Sequence, residues 1–280
     1  MPFEALNSCN NSSNHVPRVG GVCYLNAAPL LRCLTDYIPA KNIVYDVPRR
    51  LADRIARGEL DVAIVPSFHA FRDPTSLVLS DACIAAQDVA RSVILFSRVP
   101  PRQISTLALD AGSRSSAALV RILLAELYQV RPRTRDLPLN EDLARTPDDA
   151  VLLIGDRAMV SRPAGFSHVR DVGAMWHEWT GLPFVFALWI ARPSVDRAYW
   201  GPRFAAARDR GVAQLRQIAL EGAKNLGLSF PTCYDYLSRN LHFRLGEAEK
   251  AALDRFGRLL VKHGLVPSGV QLAYDFADSR

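Results

Sequence analysis

Residues 42–65 read NIVYDVPRRLADRIARGELDVAIV, and this stretch decides the fold class. Its first part, Asn42 to Val47, predicts a strand, and Pro48 to Arg57 predicts an amphipathic helix. Gly58 ends the helix, because glycine readily takes the left-handed conformation that closes helices. Leu60 to Val65 is then a continuous apolar run, which is typical of a strand buried on both faces. Strand, helix and strand together predict a βαβ unit with a parallel sheet, and therefore an α/β fold.

A second strand-to-helix junction lies near the start of the chain. Arg18 to Tyr24 predicts a strand, and Pro29 fits the first turn of the helix that follows. The polar Asn26 stands between these two elements. Open α/β sheets hold ligands in crevices of this kind, so the junction is a candidate ligand site.

Strands and helices alternate along the rest of the chain. The 280 residues suit either one large domain or two lobes of ordinary size, and we expect two lobes. The further predicted strands are Ser92–Ser97, Ser105–Leu109, Val151–Ile154 and Phe184–Ile190. The further predicted helices are Ser115–Tyr128, Arg203–Leu226, Pro231–Arg239 and Glu247–His263.

The lobe boundaries follow from two predicted crossings. Pro100-Pro101 interrupts both helix and central strand, so we place the first crossing between Ser97 and Gln103. The segment from Phe184 to Pro193 is interpreted as the return crossing. These crossings predict a flexible tail over residues 1–17, a discontinuous first lobe over 18–100 plus 190–280, and a second lobe over 101–189.

Composition narrows the possible partners. The net charge is +6, but the basic residues are scattered without a block of five like charges. This pattern argues against nucleic acid as a partner and leaves attraction to a small anion open. The five cysteines have no metal-ligand spacing, which favours a set of reduced cytoplasmic thiols.

Targeting segments and cofactor sites leave recognisable sequence patterns. The first 14 residues are rich in Asn and Ser and do not read as a secretory signal, and the most apolar run, Leu182 to Ile190, is too short to span a bilayer. We therefore expect a cytoplasmic protein without a membrane partner. GxGxxG, GxxxxGK[ST], HExxH and GxSxG do not occur, so no nucleotide, metal or other cofactor is expected.

Several runs of the chain, in order and at fitting spacing, resemble the chorismate dehydratase family of the futalosine pathway of menaquinone biosynthesis. The resemblance covers roughly residues 18–246. The runs that carry it are Arg18–Pro29, Gly58–Val65, Arg91–Ser97, Leu153–Ala158 and Trp176–Trp189.

The resemblance implies a fold and an activity. The fold is the two-lobed (type 2) fold of periplasmic solute-binding proteins, with the ligand in the cleft between the lobes. The activity is a hydro-lyase reaction, in which chorismate loses water to give 3-[(1-carboxyvinyl)oxy]benzoate without a cofactor. Chorismate is accordingly the expected small-molecule partner.

Two departures from the family pattern stand out. Cys23-Tyr24-Leu25-Asn26 replaces an expected Ser-Tyr-Leu-Asn motif, and Asp88-Val89-Ala90 replaces a Gly-Pro-Val turn. Loss of a glycine in that turn should alter the loop, because Asp cannot take every conformation open to Gly.

The resemblance assigns catalytic roles to Asn26 and Ser92. From the residues alone, Asn26 is either a ligand-binding amide or an N-cap. Ser92 begins an apolar strand, where its hydroxyl needs a partner that is more often backbone than substrate. The match to the family's polar positions favours the functional interpretation of both.

Further residues are expected to bind substrate. Ser113, Ser115 and Ser116 precede or begin an amphipathic helix, where free N–H groups and hydroxyls suit a carboxylate, although ordinary capping is compatible. Ser67 ends the Leu60 to Val65 strand on the same sheet edge as Asn26. His69 could act as an acid or base, but a loop histidine on the surface is the commoner case.

The remaining substrate-binding candidates are Tyr24 and Arg91, which lie in the matching runs near the two catalytic positions, and Gly155 with Asp156. Gly155 would let backbone approach a ligand, whereas Asp156 is equally suited to cap the next helix. Trp176 and Trp179 could wall the cleft, but such aromatics more often belong to the core.

Three alternatives to a chorismate dehydratase stay open at this point. They are a 1,4-dihydroxy-6-naphthoate synthase-like enzyme of the same pathway, a non-catalytic small-anion-binding protein, and the ligand-binding half of a transcription regulator.

Overall fold

The computed structural model describes residues 15–138, 140–274 and 276, so most of the tail expected over residues 1–17 lies outside the described residues. The described residues form eleven strands: β1 Val19–Val22, β2 Ile43–Asp46, β3 Val62–Pro66, β4 Leu77–Ala86, β5 Val93–Ser97, β6 Thr106–Asp110, β7 Arg133–Leu137, β8 Ala150–Ile154, β9 His168–Asp171, β10 Phe184–Ala191 and β11 Leu241–Arg244.

Ten α-helices cover the sheets within the same residues. They are α1 Ala28–Leu31, α2 Pro48–Ala56, α3 Ser67–Arg72, α4 Ser115–Tyr128, α5 Gly155–Val160, α6 Val172–Thr180, α7 Arg197–Val212, α8 Leu215–Leu226, α9 Phe230–Asp235 and α10 Glu247–Lys262. A 3₁₀ turn, Leu25–Ala27, precedes α1, and a π-helical turn, Tyr236–Asn240, follows α9.

The strands form two sheets. The first has the order β11-β4-β10-β3-β1-β2 and the second the order β7-β6-β8-β5-β9. In the first sheet β1 pairs in parallel with both β2 and β3. Since α2 connects β2 to β3, the predicted βαβ unit is confirmed. In the second sheet β6 lies parallel to β7 and β8, and β5 runs antiparallel to β8 and β9.

The chain changes sheets at different places from those predicted. Strand β5 belongs to the second sheet, so the first crossing lies between Ala86 and Val93 rather than at residue 100. Pro101 instead begins a 3₁₀ turn that connects β5 to β6 within the second sheet. Strand β10, assigned largely to lobe 2 by the 101–189 boundary, lies wholly in the first sheet. The reason is that a strand's own residue pattern does not identify its pairing partners.

Two predictions for the C-terminal helices also need correction. The single helix expected over Arg203–Leu226 is two helices, α7 and α8, which a break at Ala213 and Gln214 separates. Helix α7 begins earlier, at Arg197, because the carboxylate of Asp196 caps it by accepting from the Tyr199 N–H.

An aromatic cluster joins the C-terminal helices to the central strand of the first sheet. The ring of Phe184 on β10 lies 5.3 Å from that of Trp176 and 5.0 Å from that of Phe256 on α10, centroid to centroid. The Trp176 indole N–H also donates to the Pro183 carbonyl over 2.9 Å. Trp176 is therefore a core residue. Within the described part of the chain, no helix combines the length and apolar character needed to cross a membrane.

Candidate active site

A cavity of about 60 Å³ lies between the two sheets. Its wall combines strand ends and loops from both sides, and it includes the predicted strand-to-helix junction around Asn26. From the first-sheet side it is lined by Val22, Tyr24, Asn26, Pro48, Pro66, Ile84, Phe186, Ala187 and Leu241. From the second-sheet side it is lined by Ser92, Val93, Gly112, Ser113, Arg114, Ser115, Ser116, Ile154 and Gly155.

Asn26 lies in the 3₁₀ turn between β1 and α1 and lines the cavity. Its Oδ1 atom is buried and has no hydrogen-bond partner among the described residues. The preceding residue anchors the turn, because the Leu25 N–H donates to both carboxylate oxygens of Asp156 over 3.0 and 3.3 Å. The position of Asn26 thus depends on a residue of the opposite side.

Asp156 is in the first turn of α5, and its carboxylate points across to the Asn26 turn rather than into the cavity. Burial raises the pKa of this carboxyl, and the Leu25 N–H partly opposes that shift. Asp156 does not line the cavity but makes a contact between its two sides, so its substrate-binding role stays a prediction. The alternative expectation, that Asp156 caps its own helix, is wrong, because the N-cap is Ile154 and no side chain caps the helix.

Ser92 immediately precedes β5 and is 3 % exposed. The loop before it is held by Asp171, whose carboxylate accepts from the N–H groups of Ala90 over 3.0 Å and Arg91 over 2.6 Å. The loop that departs from the family pattern therefore has its own anchor. Burial raises the pKa of the Asp171 carboxyl against the effect of these N–H donors.

Arg91 is not brought to the cavity. Its backbone has φ 56°, its side chain is exposed, and it lines a separate outer groove with Phe96 and Met159. The left-handed backbone at this position turns the side chain away from Ser92, although the two are adjacent in sequence.

The N-terminus of α4 brings three predicted residues to the cavity: Ser113, Ser115 and Ser116. The Ser113 hydroxyl oxygen accepts from the Ala117 N–H over 3.3 Å, and that of Ser115 accepts from the Phe68 N–H over 3.1 Å. Unpaired N–H groups and the helix dipole make the start of such a 14-residue helix favourable for an anion.

Ser67 lies behind the cavity wall and joins the two sides. Its hydroxyl donates to the Val185 carbonyl over 2.7 Å and lies 3.1 Å from the Ser115 hydroxyl oxygen. Since the one proton of Ser67 goes to Val185, Ser115 is the donor between the two hydroxyls. Ser67 therefore supports Ser115 instead of lining the cavity itself.

Arg114 also lines the cavity and was not among the predicted site residues. Its guanidinium pairs with the Asp53 carboxylate of α2 over 2.6 Å. A cation among serines at a helix start was a signal that sequence reasoning could have used, because anion-binding helix starts often carry a basic side chain.

Tyr24 contacts the opposite side through two glycines. A Cβ atom added to Gly155 would lie 2.9 to 3.0 Å from Tyr24 ring atoms, and one added to Gly112 would lie 3.1 Å from the Tyr24 hydroxyl oxygen. Gly155 has φ +59°, and its N–H donates to the Ser92 carbonyl over 2.8 Å. Burial raises the pKa of the Tyr24 phenol.

Tyr236 is a buried residue of the site region that sequence reasoning missed. It is completely buried in the π-helical turn, and its phenol interacts with the side chains of Ser92 and Asn26. Burial raises the pKa of this phenol, whereas these two side chains lower it. Within an apolar helical pattern, the sequence gives no sign of where such a hydroxyl points.

His69 lies on α3 and is 4 % exposed, so it is not the surface loop histidine of the commoner case. Its nearest carboxylate oxygen, on Asp73, is 3.9 Å from Nε2. Burial lowers the pKa of His69. Across the ranges that the structure describes, no three His, Cys, Asp or Glu side chains group as metal ligands would.

Comparisons with known proteins agree with this architecture. A family model described as "Menaquinone biosynthesis" matches residues 17–262. A curated relative from Thermus thermophilus, named "Chorismate dehydratase", is 29% identical over 257 residues, which cover 85% of this chain and 92% of the relative.

Two solved structures illustrate the fold. Protein AF1704 from Archaeoglobus fulgidus matches with a TM-score of 0.70 at 15% identity, over 89% of this chain and 98% of that one. The periplasmic aliphatic sulphonate binding protein SsuA from Escherichia coli matches with a TM-score of 0.57 at 17% identity, over 90% and 94% of the two chains. The expected periplasmic-binding-protein-like fold is confirmed.

Proposed function

Because the chain belongs to the menaquinone-biosynthesis family, we propose that it is a chorismate dehydratase, which converts chorismate to 3-[(1-carboxyvinyl)oxy]benzoate and water. The observation that carries the proposal is the cavity in which Asn26, Ser92 and the start of α4 meet. These groups come from three separate elements and supply an amide, hydroxyls, backbone N–H groups and the guanidinium of Arg114.

The reaction sets requirements that these groups can meet. Aromatisation removes the C3 proton and the C4 hydroxyl of chorismate, and the C1 carboxylate acidifies the C3–H bond through the diene. A stepwise path therefore places developing negative charge on that carboxylate. Fixed donors and a cation in a site shielded from water stabilise such charge far better than bulk solvent does.

The start of α4 and Arg114 form the proposed carboxylate site. The helix dipole, the unpaired N–H groups of the first turn and the Ser116 hydroxyl favour an anion at this place, and the guanidinium adds a full positive charge. Arg114 already pairs with Asp53, so the substrate carboxylate would share or replace that ion pair.

Asn26 and Ser92 are the proposed catalytic residues. Both line the cavity, and each is held by a carboxylate acting on its loop, Asp156 for Asn26 and Asp171 for Ser92. Rigid support of this kind keeps a donor aligned with the group that it stabilises in the transition state.

Closure of two lobes around the substrate is part of the proposal. The cavity of about 60 Å³ is well below the roughly 300–1,000 Å³ of ordinary ligand sites, so the sides must separate to admit chorismate. The chain passes between the sheets twice, and crossings of this kind permit hinge motion. The Ser67–Ser115 and Leu25–Asp156 contacts would break on opening and form again on closing.

The decisive experiment is incubation of the purified protein with chorismate, with chromatography and mass spectrometry of the products. We expect the aromatic dehydration product, with the Ser92→Ala variant as the control for contaminating activity. Unchanged chorismate would refute the proposal. Tight binding without turnover would instead favour a small-anion-binding protein.

We also propose a cytoplasmic location. The described cysteines Cys23, Cys33, Cys83 and Cys233 are all free thiols, which suits a reducing compartment. Fractionation of the producing cells tests this, and recovery of the protein in a periplasmic or secreted fraction would contradict it.

A further inference from the structure

The strongest unassigned feature is the phenol of Tyr236 behind the cavity wall. Tyr236 is completely buried, and it begins the π-helical turn that follows α9. Single π-turns are rare and occur often at functional sites. The Tyr236 hydroxyl oxygen finds no hydrogen-bond partner within the described ranges, although the side chains of Ser92 and Asn26 are its close polar neighbours.

The side-chain amide of Asn26 lacks the hydrogen-bond donor that the Tyr236 hydroxyl could supply. Its Oδ1 atom is buried, and it also has no partner among the residues that the structure describes. A carboxamide oxygen can only accept a hydrogen bond, whereas a phenol can donate one and accept another. Two buried polar atoms that stay unpaired are costly, and these two can satisfy each other with a small adjustment of side chains.

We propose that Tyr236 is a positioning residue that orders the two catalytic side chains into one directed chain of hydrogen bonds. The Tyr236 hydroxyl donates to Asn26 Oδ1 and accepts from the Ser92 hydroxyl. The direction follows from which amide atom is buried without a partner: it is Oδ1, and an amide oxygen only accepts.

The direction of this chain determines what the cavity presents to a ligand. With its oxygen engaged by Tyr236, Asn26 turns its N–H₂ group to the cavity as a donor. With its proton engaged by Tyr236, Ser92 turns its lone pairs to the cavity as an acceptor. The site then suits a ligand that carries an anionic or acceptor oxygen near Asn26 and a hydroxyl near Ser92.

Burial keeps the phenol in its donating form. Burial is the largest cause of the raised pKa of Tyr236, and it outweighs the lowering by the Ser92 and Asn26 side chains, so the hydroxyl stays protonated at neutral pH. The chain of hydrogen bonds therefore keeps its donor at neutral pH. This inference rests on the proposed function only for the identity of the ligand.

The first test compares Tyr236→Phe with Tyr274→Phe. The phenol of Tyr274 is likewise buried without a partner in the described structure, so it is a matched control for loss of a hydroxyl away from the cavity. We expect Tyr236→Phe to lower kcat about 10-fold to 100-fold with little change in KM, as loss of one aligned hydrogen bond does, and Tyr274→Phe to leave both near wild type. Equal kinetics for the two variants would overturn the proposal.

The second test is a double-mutant cycle of Tyr236→Phe with Asn26→Ala. Once Asn26 is removed, the Tyr236 hydroxyl has nothing to position, so Tyr236→Phe should cost little further kcat. If the effects of the two single variants on kcat multiply in full, the proposed chain of hydrogen bonds is contradicted. A parallel cycle of Ser92→Ala with Asn26→Ala tests the same coupling without altering Tyr236, should Tyr236→Phe fail to fold.

The same cycles are then measured by urea unfolding of the ligand-free protein, which separates this inference from the proposed function. Absence of chorismate turnover in the wild type would refute the function alone. If the effects of Tyr236→Phe and Asn26→Ala on unfolding are non-additive in the double variant, the chain of hydrogen bonds is still supported. Additive effects would refute it.

Discussion

Replacement of Gly155 by alanine tests how closely the two sides of the cavity fit. Gly155 has φ +59°, and its added Cβ would lie 2.9 Å from Tyr24 Cδ2 and 3.0 Å from Cε2 and Cγ. Real Cβ atoms do not approach ring carbons so closely, and an aromatic ring cannot yield as a flexible side-chain end can. Gly155→Ala must therefore displace Tyr24, or hold the two sides apart.

The size of the effect follows from two costs. An alanine in the left-handed region costs about 1–2 kcal/mol, and overpacking of a tight contact costs about 1–3 kcal/mol. Together they predict that the free energy of unfolding falls by about 2–5 kcal/mol. At about 2–4 °C per kcal/mol for a large single chain, Tm should fall by roughly 4–20 °C.

Gly181→Ala supplies the matched control. Gly181 has φ +70°, but nothing lies within 4 Å of its added Cβ, so this variant carries the backbone cost alone. We expect a loss of about 1–2 kcal/mol and near-normal turnover. The additional loss of unfolding free energy in Gly155→Ala then measures the cost of the contact with Tyr24.

The assays are calorimetric or circular-dichroism melting and steady-state turnover of chorismate. Gly155→Ala should also lower kcat/KM, because Tyr24 and Ser92 both adjoin the altered residue. In a Tyr24→Ala background the excess cost of Gly155→Ala should disappear. Equal Tm and equal turnover for Gly155→Ala and Gly181→Ala would refute the reasoning.

Four further predictions address the site. Asn26→Ala and Ser92→Ala should each lower kcat by roughly 10²-fold while the melting profile stays cooperative, since each removes one oriented group; folded variants with near-normal rates would disprove the assignment. Dialysis against a chelator should leave turnover unchanged, because the described residues offer no metal-ligand cluster, and a loss that one divalent ion restores would contradict this. Small-angle scattering should show a smaller radius of gyration when product is bound, and Ser115→Ala should weaken product affinity; an unchanged radius with unchanged affinity would argue against closure. The burial-lowered pKa of His69 contributes stability that is present above the unfolded value of about 6.5 and lost as pH falls through the folded pKa, with a slope of at most about 1.4 kcal/mol per pH unit. His69→Gln should flatten the acid limb of urea-unfolding stability, and an acid limb equal to that of the wild type would contradict the role of burial.

Local pattern determined those parts of the fold that depend on neighbouring residues. The βαβ unit around α2 and the bounds of α4 were predicted closely, because apolar periodicity, Gly58 and the serines at the helix start act within a few residues. Asn26 and Ser92 were identified through the family resemblance, and both do line the cavity.

The sequence did not predict which distant strands pair with one another. Strand β7, Arg133–Leu137, is largely polar because it lies at an edge of the second sheet, so it lacks the apolar run that predicts a strand. Strand β5 has the same local pattern whichever sheet it joins, and only its pairing with β8 and β9 decides.

The tertiary structure also decided which polar groups serve the cavity. Asp156 accepts from the Leu25 N–H across 131 positions of sequence, Arg91 turns outward, and the phenol of Tyr236 lies near the side chains of Asn26 and Ser92. Sequence periodicity states which face of an element is buried. The direction of a single buried hydroxyl or carboxylate depends instead on the packing of all the elements around it, and that packing exists only in the folded chain.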